Sequence, residues 1–142
     1  MDENLKSQLA QSALEGATFS EDPGWFFVFL ENTEMVKELL SLLDAKAAEE
    51  REAILVFAKG DEWASFIDAC GALYRMKETA LQSGKDLVLD PRLTHFLKAP
   101  ASLEIRTAFG VKEGCECVGA VLVKDAVPYE REFRWDVFSS VQ

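Results

Sequence analysis

Apolar residues recur along this chain in two rhythms, one of three to four residues and one of two, and the switches between them predict its elements. Leu5, Leu9 and Ala13 fall four apart and predict a helix over about residues 4–15. Asp2 and Glu3 lie at its start, where the positive end of the helix dipole favours acids. Next comes an unbroken apolar run, Trp25 to Leu30, which suits a buried strand or a helix. Asp22 as N-cap and Pro23 at the first helical position favour a helix from Pro23 to about Asn32. Glu34 to Leu43 fits either type and stays open. Asp44 to Glu52, charged and rich in alanine, reads as an exposed loop or short helix before a strand-like run from Ala53 to Ala58.

Gly60 and Asp61 turn the chain into the clearest helix, where Trp63, Phe66, Ile67, Cys70, Leu73 and Tyr74 form one continuous apolar face expected to be buried. Ser83-Gly84 ends it, Asp86 to Asp90 reads as a short strand, and Asp90-Pro91 opens a brief helix carrying Leu93, Phe96 and Leu97 with His95 beside the stripe. Beyond residue 100 the period falls to two. Leu103, Ile105, Thr107 and Phe109 alternate with Glu104 and Arg106, and Phe133, Trp135 and Val137 alternate with Glu132, Arg134 and Asp136. Between them, a strand from Cys115 to Val123 places Cys115, Cys117, Val121 and Val123 on one face and Val118, Ala120 and Leu122 on the other. Residues 101–138 are therefore predicted as a three-stranded antiparallel meander. The fold class expected is α+β, one domain over residues 1–142, with helices packed on one side of an antiparallel sheet. Neither an internal repeat nor a linker is apparent.

Composition supports one folded unit. The chain has 142 residues, 49% of them hydrophobic, with ten Phe and three Trp, enough for a dense core without a metal or disulfide. Its net charge is −10, and residues 15–62 hold twelve acids against four bases. Such a field repels phosphate backbones and anionic membranes, so neither nucleic acid nor membrane is an expected partner. The acidic start lacks the basic and apolar segments of a signal peptide, and three cysteines, an odd number, suit free thiols in a reducing cytoplasm.

Candidate chemistry is sparse. Cys70, Cys115, Cys117 and His95 make up the ligand types of a structural zinc site, but the cysteines read C-x-C rather than the knuckle spacing C-x₂₋₄-C. No metal is expected. A thiolate pair of Cys115 or Cys117 with His95 would be opposed by Glu113 and Glu116, which raise a thiol pKa. Gly110 to Gly114 is a hairpin turn with an acid inside and no following helix, not a phosphate cradle. No cofactor is expected.

The segments LKSQLAQSAL, PGWFFVFLENTEMV, AILVFAKGDEWASFI and GKDLVLDPRL, in that order, resemble the N-terminal domain of the SseB (enhanced serine sensitivity) family over about residues 4–93. Phe57-Ala58 stands where that family commonly has Phe-Thr, and Asp90-Pro91 where it has Asn-Pro. The resemblance implies a bacterial cytosolic α+β module without a catalytic residue.

From these readings the chain is expected to be a non-enzymatic protein-interaction or regulatory module. Its acidic surface of Glu31, Glu34, Glu38, Glu49, Glu50 and Glu52 would dock a basic protein partner. Two alternatives stand beside it, a toxin-immunity or secretion-chaperone protein, and a small cysteine- or carboxylate-dependent enzyme. Oligomeric state is not fixed by the sequence.

Overall fold

A computed structural model describes residues 1–43 and 50–128. The chain runs α1 (Glu3–Leu14), β1 (Trp25–Leu30), α2 (Thr33–Leu43), β2 (Ala53–Lys59), α3 (Trp63–Gln82), β3 (Lys85–Leu89), α4 (Pro91–Lys98), α5 (Leu103–Ala108) and β4 (Cys115–Asp125). The four strands form one antiparallel sheet in the order β1-β2-β4-β3. The α+β class and its antiparallel sheet are as expected, with α1 and α3 as the helical layer on one face. The opposite face is covered too, by α2 and α4. That double cover explains β2, whose residues Ala53 to Ala58 are all buried, an apolar run rather than an alternation.

Several elements follow directly from their local sequence. In α1, Asp2 accepts the Leu5 N–H at 2.7 Å, and Leu5, Leu9 and Ala13 are buried. Asp90 caps α4 in the same way, accepting from Leu93 at 2.9 Å with Pro91 behind it, while Leu93 and Leu97 are buried. The open segment from Glu34 to Leu43 is helix α2, started by Asn32, which accepts the Met35 N–H at 3.1 Å.

Other elements correct the sequence reading. The segment from Pro23 to Asn32 is not a helix: Trp25–Leu30 is strand β1, paired from Trp25↔Ala58 to Leu30↔Ala53. Six residues of aromatic and branched type suit a strand beside β2, and Asp22 and Pro23 belong to the turn before it. Residues 103–109 are likewise not a strand. Leu103–Ala108 form α5, capped by Phe109, which turns Ile105 and Phe109, four apart, onto the α4 side of the core. Of the expected meander, β4 is a strand; the alternating segment 132–137 and most of the charged stretch 44–52 lie outside the described residues.

The register of β4 also differs. Val56 pairs with Gly119 but Phe57 pairs with Cys117, so Val118 is the extra residue of a β-bulge. The bulge exchanges the faces beyond it. Cys115 and Cys117 therefore share the α4 side with Ala120 and Leu122, whereas Val118, Val121 and Val123 face α3.

The largest departure concerns α3. Its buried positions are Ser65, Asp68, Ala69, Ala72, Met76 and Ala80, while Trp63 is 74% and Tyr74 72% exposed. Alanines at the contact let the helix lie close to the sheet and to α1, which bulky side chains would prevent. Asp68 is buried because it is fully engaged: it accepts from the N–H groups of Phe19 and Ser20 at 2.7 and 3.1 Å and from the Ser20 hydroxyl at 2.5 Å. Arg75 is drawn to the same side, donating to the carbonyls of Ser12 and Ala13 at the end of α1. Among the described residues no helix is long and apolar enough to cross a membrane.

Candidate functional site

The bulge and the outward flank of α3 together open a groove along the β3 side of the sheet. Its lining is Cys70, Leu73, Tyr74 and Lys77 from α3, Leu87 to Leu89 from β3, and Val118 and Val121 from β4, around a cavity of about 390 Å³. This size is within the range of small-molecule sites. Gly119 of β4 lies beneath two of the lining residues, Leu73 and Leu89. A Cβ built there would lie 3.2 Å from the Leu89 side chain and 3.4 Å from that of Leu73, so both leucines settle over the space a side chain would fill. Gly119→Val is accordingly expected to destabilise by about 1–3 kcal/mol through overpacking, read from denaturant unfolding.

Polar groups are few and defined. Asp90 donates its N–H to Ala120 and Ala126 donates to Gly84, which fixes the even-numbered residues of β3 as those bonded to β4. The odd-numbered residues turn their backbone groups to the free edge. At Leu87 both are used internally: Asp86 accepts its N–H at 2.8 Å and Lys77 donates to its carbonyl at 2.9 Å, with a 2.6 Å Lys77–Asp86 bond closing the set. Leu89 presents its N–H and C=O outward beside the groove. An apolar floor with one donor and one acceptor in line along its rim is a surface for a flat heteroaromatic ring.

Val118 also lines a second cleft of about 330 Å³, with the Trp63–Phe66 stacked pair (5.5 Å between centroids), the cations Lys59 and Lys98, and the acids Asp61, Glu62 and Glu116. The two cavities thus share Val118 of the bulge. Lys59 lies 3.9 Å from Glu62, and Lys98 has no ion-pair partner among the described residues. Lys98 is therefore the cation at this end open to an anionic group, set among the acids Asp61, Glu62 and Glu116.

The thiols are not arranged for nucleophilic work. All three are free, and only Cys117 is buried. Burial pushes the Cys117 thiol up to about 11, against a smaller downward pull from Lys98 and the Gly119 N–H. Burial raises Cys70 as well. His95 is exposed on α4, with no hydrogen bond to either Cys115 or Cys117 among the described residues. Among those residues no group of three His, Cys, Asp or Glu side chains could hold a metal ion.

The acids singled out from the sequence divide into separate places. Glu31 pairs with Lys6 at 2.8 Å, Glu50 accepts from the Thr33 hydroxyl at 3.5 Å, and Glu52 holds the Met1 amine. Glu34 and Glu38 instead flank Lys37 on the outer side of α2, and Glu49 lies outside the described residues. Of the five described, none lines the groove. The groove itself was missed because its α3 residues were assigned to the core; Gly119, a lone glycine in an apolar strand, was the available sign of a bulge or close approach.

No family model and no curated protein matches this sequence. Solved structures do match in fold. A nitroreductase with bound FMN from Bacteroides fragilis NCTC 9343 superposes with a TM-score of 0.76 at 16% identity, covering 100% of this chain and 89% of that one. A nitroreductase with bound FMN from Desulfitobacterium hafniense DCB-2 gives 0.75 at 15% identity over 96% and 84% of the two chains. An FMN-dependent nitroreductase from Clostridium difficile R20291 gives 0.69 at 14%, over 94% and 82%. At these identities the likeness is one of fold. It overturns the SseB resemblance, which rested on four short apolar segments in order; those segments fit this architecture, with β1 where a helix was read. Likeness to redox enzymes along nearly the whole chain also overturns the expectation of a non-enzymatic interaction or regulatory module.

Proposed function

We propose that this chain is an FMN-dependent oxidoreductase of the nitroreductase kind, with the flavin ring seated in the groove between α3, β3 and β4. The observation that carries the proposal is the match between that groove and the ring, in a fold shared with FMN-bearing proteins. Isoalloxazine is flat and apolar across its faces, with hydrogen-bonding groups along one edge. Leu73, Leu89 and Val118 over Gly119 supply the apolar surface, and the outward N–H and C=O of Leu89 suit the polar edge. Lys77, fixed by Asp86, closes one end of the groove, while Lys98, which has no ion-pair partner among the described residues, is the cation suited to the phosphate. When bound, FMN supplies an electron-pair carrier between a reduced donor and an organic acceptor. Around it, the residues of this chain would exclude water from one ring face, fix the ring's register through Leu89 and neutralise the phosphate.

Titration of FMN into the purified chain, followed by flavin fluorescence and calorimetry, tests this. One flavin per chain with micromolar or tighter affinity is expected, and Val118→Glu should weaken it at least about tenfold. His95→Ala, remote on α4, should not. If neither signal changes with FMN in large excess, the proposal fails.

A further inference from the structure

We infer that the protein carries a second small-molecule site, a pocket for an aryl carboxylate at the β1 edge of the sheet. It encloses about 420 Å³ where the start of β1, the end of β2 and the turn between α5 and β4 meet, and it shares no lining residue with the groove along β3. Pro23, Trp25 and Phe26 give it an apolar wall, and the half-buried thiol of Cys115 lies at the start of β4 beside them. The volume is within the range of small-molecule sites.

Local sequence builds the cationic side. Helix α5 ends in a Schellman turn: the Val111 N–H donates to the Arg106 carbonyl and the Gly110 N–H to that of Thr107, both at 3.0 Å, with Gly110 at φ +78°. Glycine takes that conformation without strain, and the turn it makes carries Lys112 to the pocket. Lys59 arrives from the end of β2 with its stem laid across Gly24. A Cβ built on Gly24 would come within 2.6 Å of the Lys59 Cδ, so a side chain there would push the lysine off this wall. Gly24 is itself pinned, since its N–H donates to the Ser65 hydroxyl at 2.9 Å and its carbonyl accepts the Lys59 N–H at 2.8 Å.

Charge selects the ligand. Acids outnumber bases 25 to 15 in this chain, yet two lysines and no acid line the pocket. Lys59 has Glu62 at 3.9 Å, a carboxylate that the Ser65 hydroxyl also holds at 2.7 Å, and Lys112 has no ion-pair partner among the described residues. An anion entering here meets two ammonium groups and no lining carboxylate to repel it. Lysine is a point charge on a flexible stem, which suits a carboxylate without the forked geometry of arginine. A bare inorganic anion would leave the Pro23, Trp25 and Phe26 wall wet, whereas a ring bearing a carboxylate uses both sides of the pocket.

Alkylation of the full chain without added flavin, with labels located by mass spectrometry, is the test. For benzoate bound with a Kd of about 1 mM, labelling of Cys115 should slow about tenfold at about 10 mM, by the factor 1 + [L]/Kd. Cys70, in the groove, should label at an unchanged rate. Inorganic phosphate and benzyl alcohol, which each carry half of the chemistry, should protect neither thiol. Lys112→Glu, on an exposed turn, should abolish protection by benzoate while FMN binding stays as in the parent, so failure here is distinguishable from failure of the flavin proposal. Calorimetry of benzoate against the parent and Lys112→Glu gives the same answer without the thiol, with at least about a tenfold loss of affinity expected. The inference is overturned if benzoate leaves Cys115 unprotected and gives no binding heat, if it protects Cys70 as well, or if its effect survives Lys112→Glu. Equal protection by phosphate would overturn it too, because the apolar wall would then play no part.

Discussion

Phe57→Ala is expected to lower the free energy of unfolding by about 3–5 kcal/mol, the largest loss from any single truncation among the described residues. Phe57 is fully buried on the central strand β2 and stacks on Phe26, with 5.4 Å between ring centroids. Its surroundings are paired strands and α4, none of which can shift inward without breaking sheet hydrogen bonds. The cavity should therefore persist. Against the roughly 5–15 kcal/mol typical of a domain, that is a large share of the total stability. Guanidinium unfolding should show a lower midpoint at unchanged slope. Phe19→Ala provides the contrast: that ring is 80% exposed, and its loss should change stability by less than about 0.5 kcal/mol.

Asp68→Ala should be nearly as damaging, at about 2–4 kcal/mol, for the opposite reason. Nothing apolar is lost; instead the Phe19 and Ser20 N–H groups and the Ser20 hydroxyl lose the acceptor that ties the 15–24 loop to α3. Burial alone would push this carboxyl up. Hydrogen bonds from Ser20 and Phe19, with Arg75 nearby, outweigh it and hold the group below the ordinary carboxylate value. Because the folded-state pKa is depressed, the stabilisation is complete above the unfolded value of about 4 and is lost as pH falls through the folded one. The stability gap between the parent chain and Asp68→Asn should hence be flat from pH 7 to about 5 and narrow below about 4. A gap independent of pH down to 2 would show that the carboxylate charge is not what holds the loop.

Much of the fold could be read from the sequence where one local signal stood alone. Asp2 and Asp90 fixed the starts of α1 and α4, and the unbroken apolar run of β2 marked a strand. Reading failed where two signals competed. At β1 a helix-start pair, Asp22-Pro23, outweighed a run whose pairing partner, β2, lies more than twenty residues away. At α5 a period of two in seven residues concealed the spacing of four between Ile105 and Phe109. On α3 the usual rule, large apolar residues inward, was inverted because alanines allow a closer contact with the sheet. The candidate site was illegible for that same reason. It consists of a helix face assigned to the interior, a bulge created by strand register, and a free strand edge, and none of the three is a property of adjacent residues.

The sheet order has a consequence for how this chain is made. β4 lies between β2 and β3, with Ala53 opposite Leu122 and Leu87 opposite Val123, so the central position is taken by the last of the four strands to be synthesised. Until residue 125 has left the ribosome, β2 and β3 lack the strand that bridges them, and a run of six apolar residues in β2 has one edge open. The N-terminal helices can form early, but the sheet cannot be completed strand by strand during translation. Assembly must wait for long-range closure, a slow class of folding event. During that interval the nascent chain, with its bare β2 edge, is the form of this protein most in need of a chaperone.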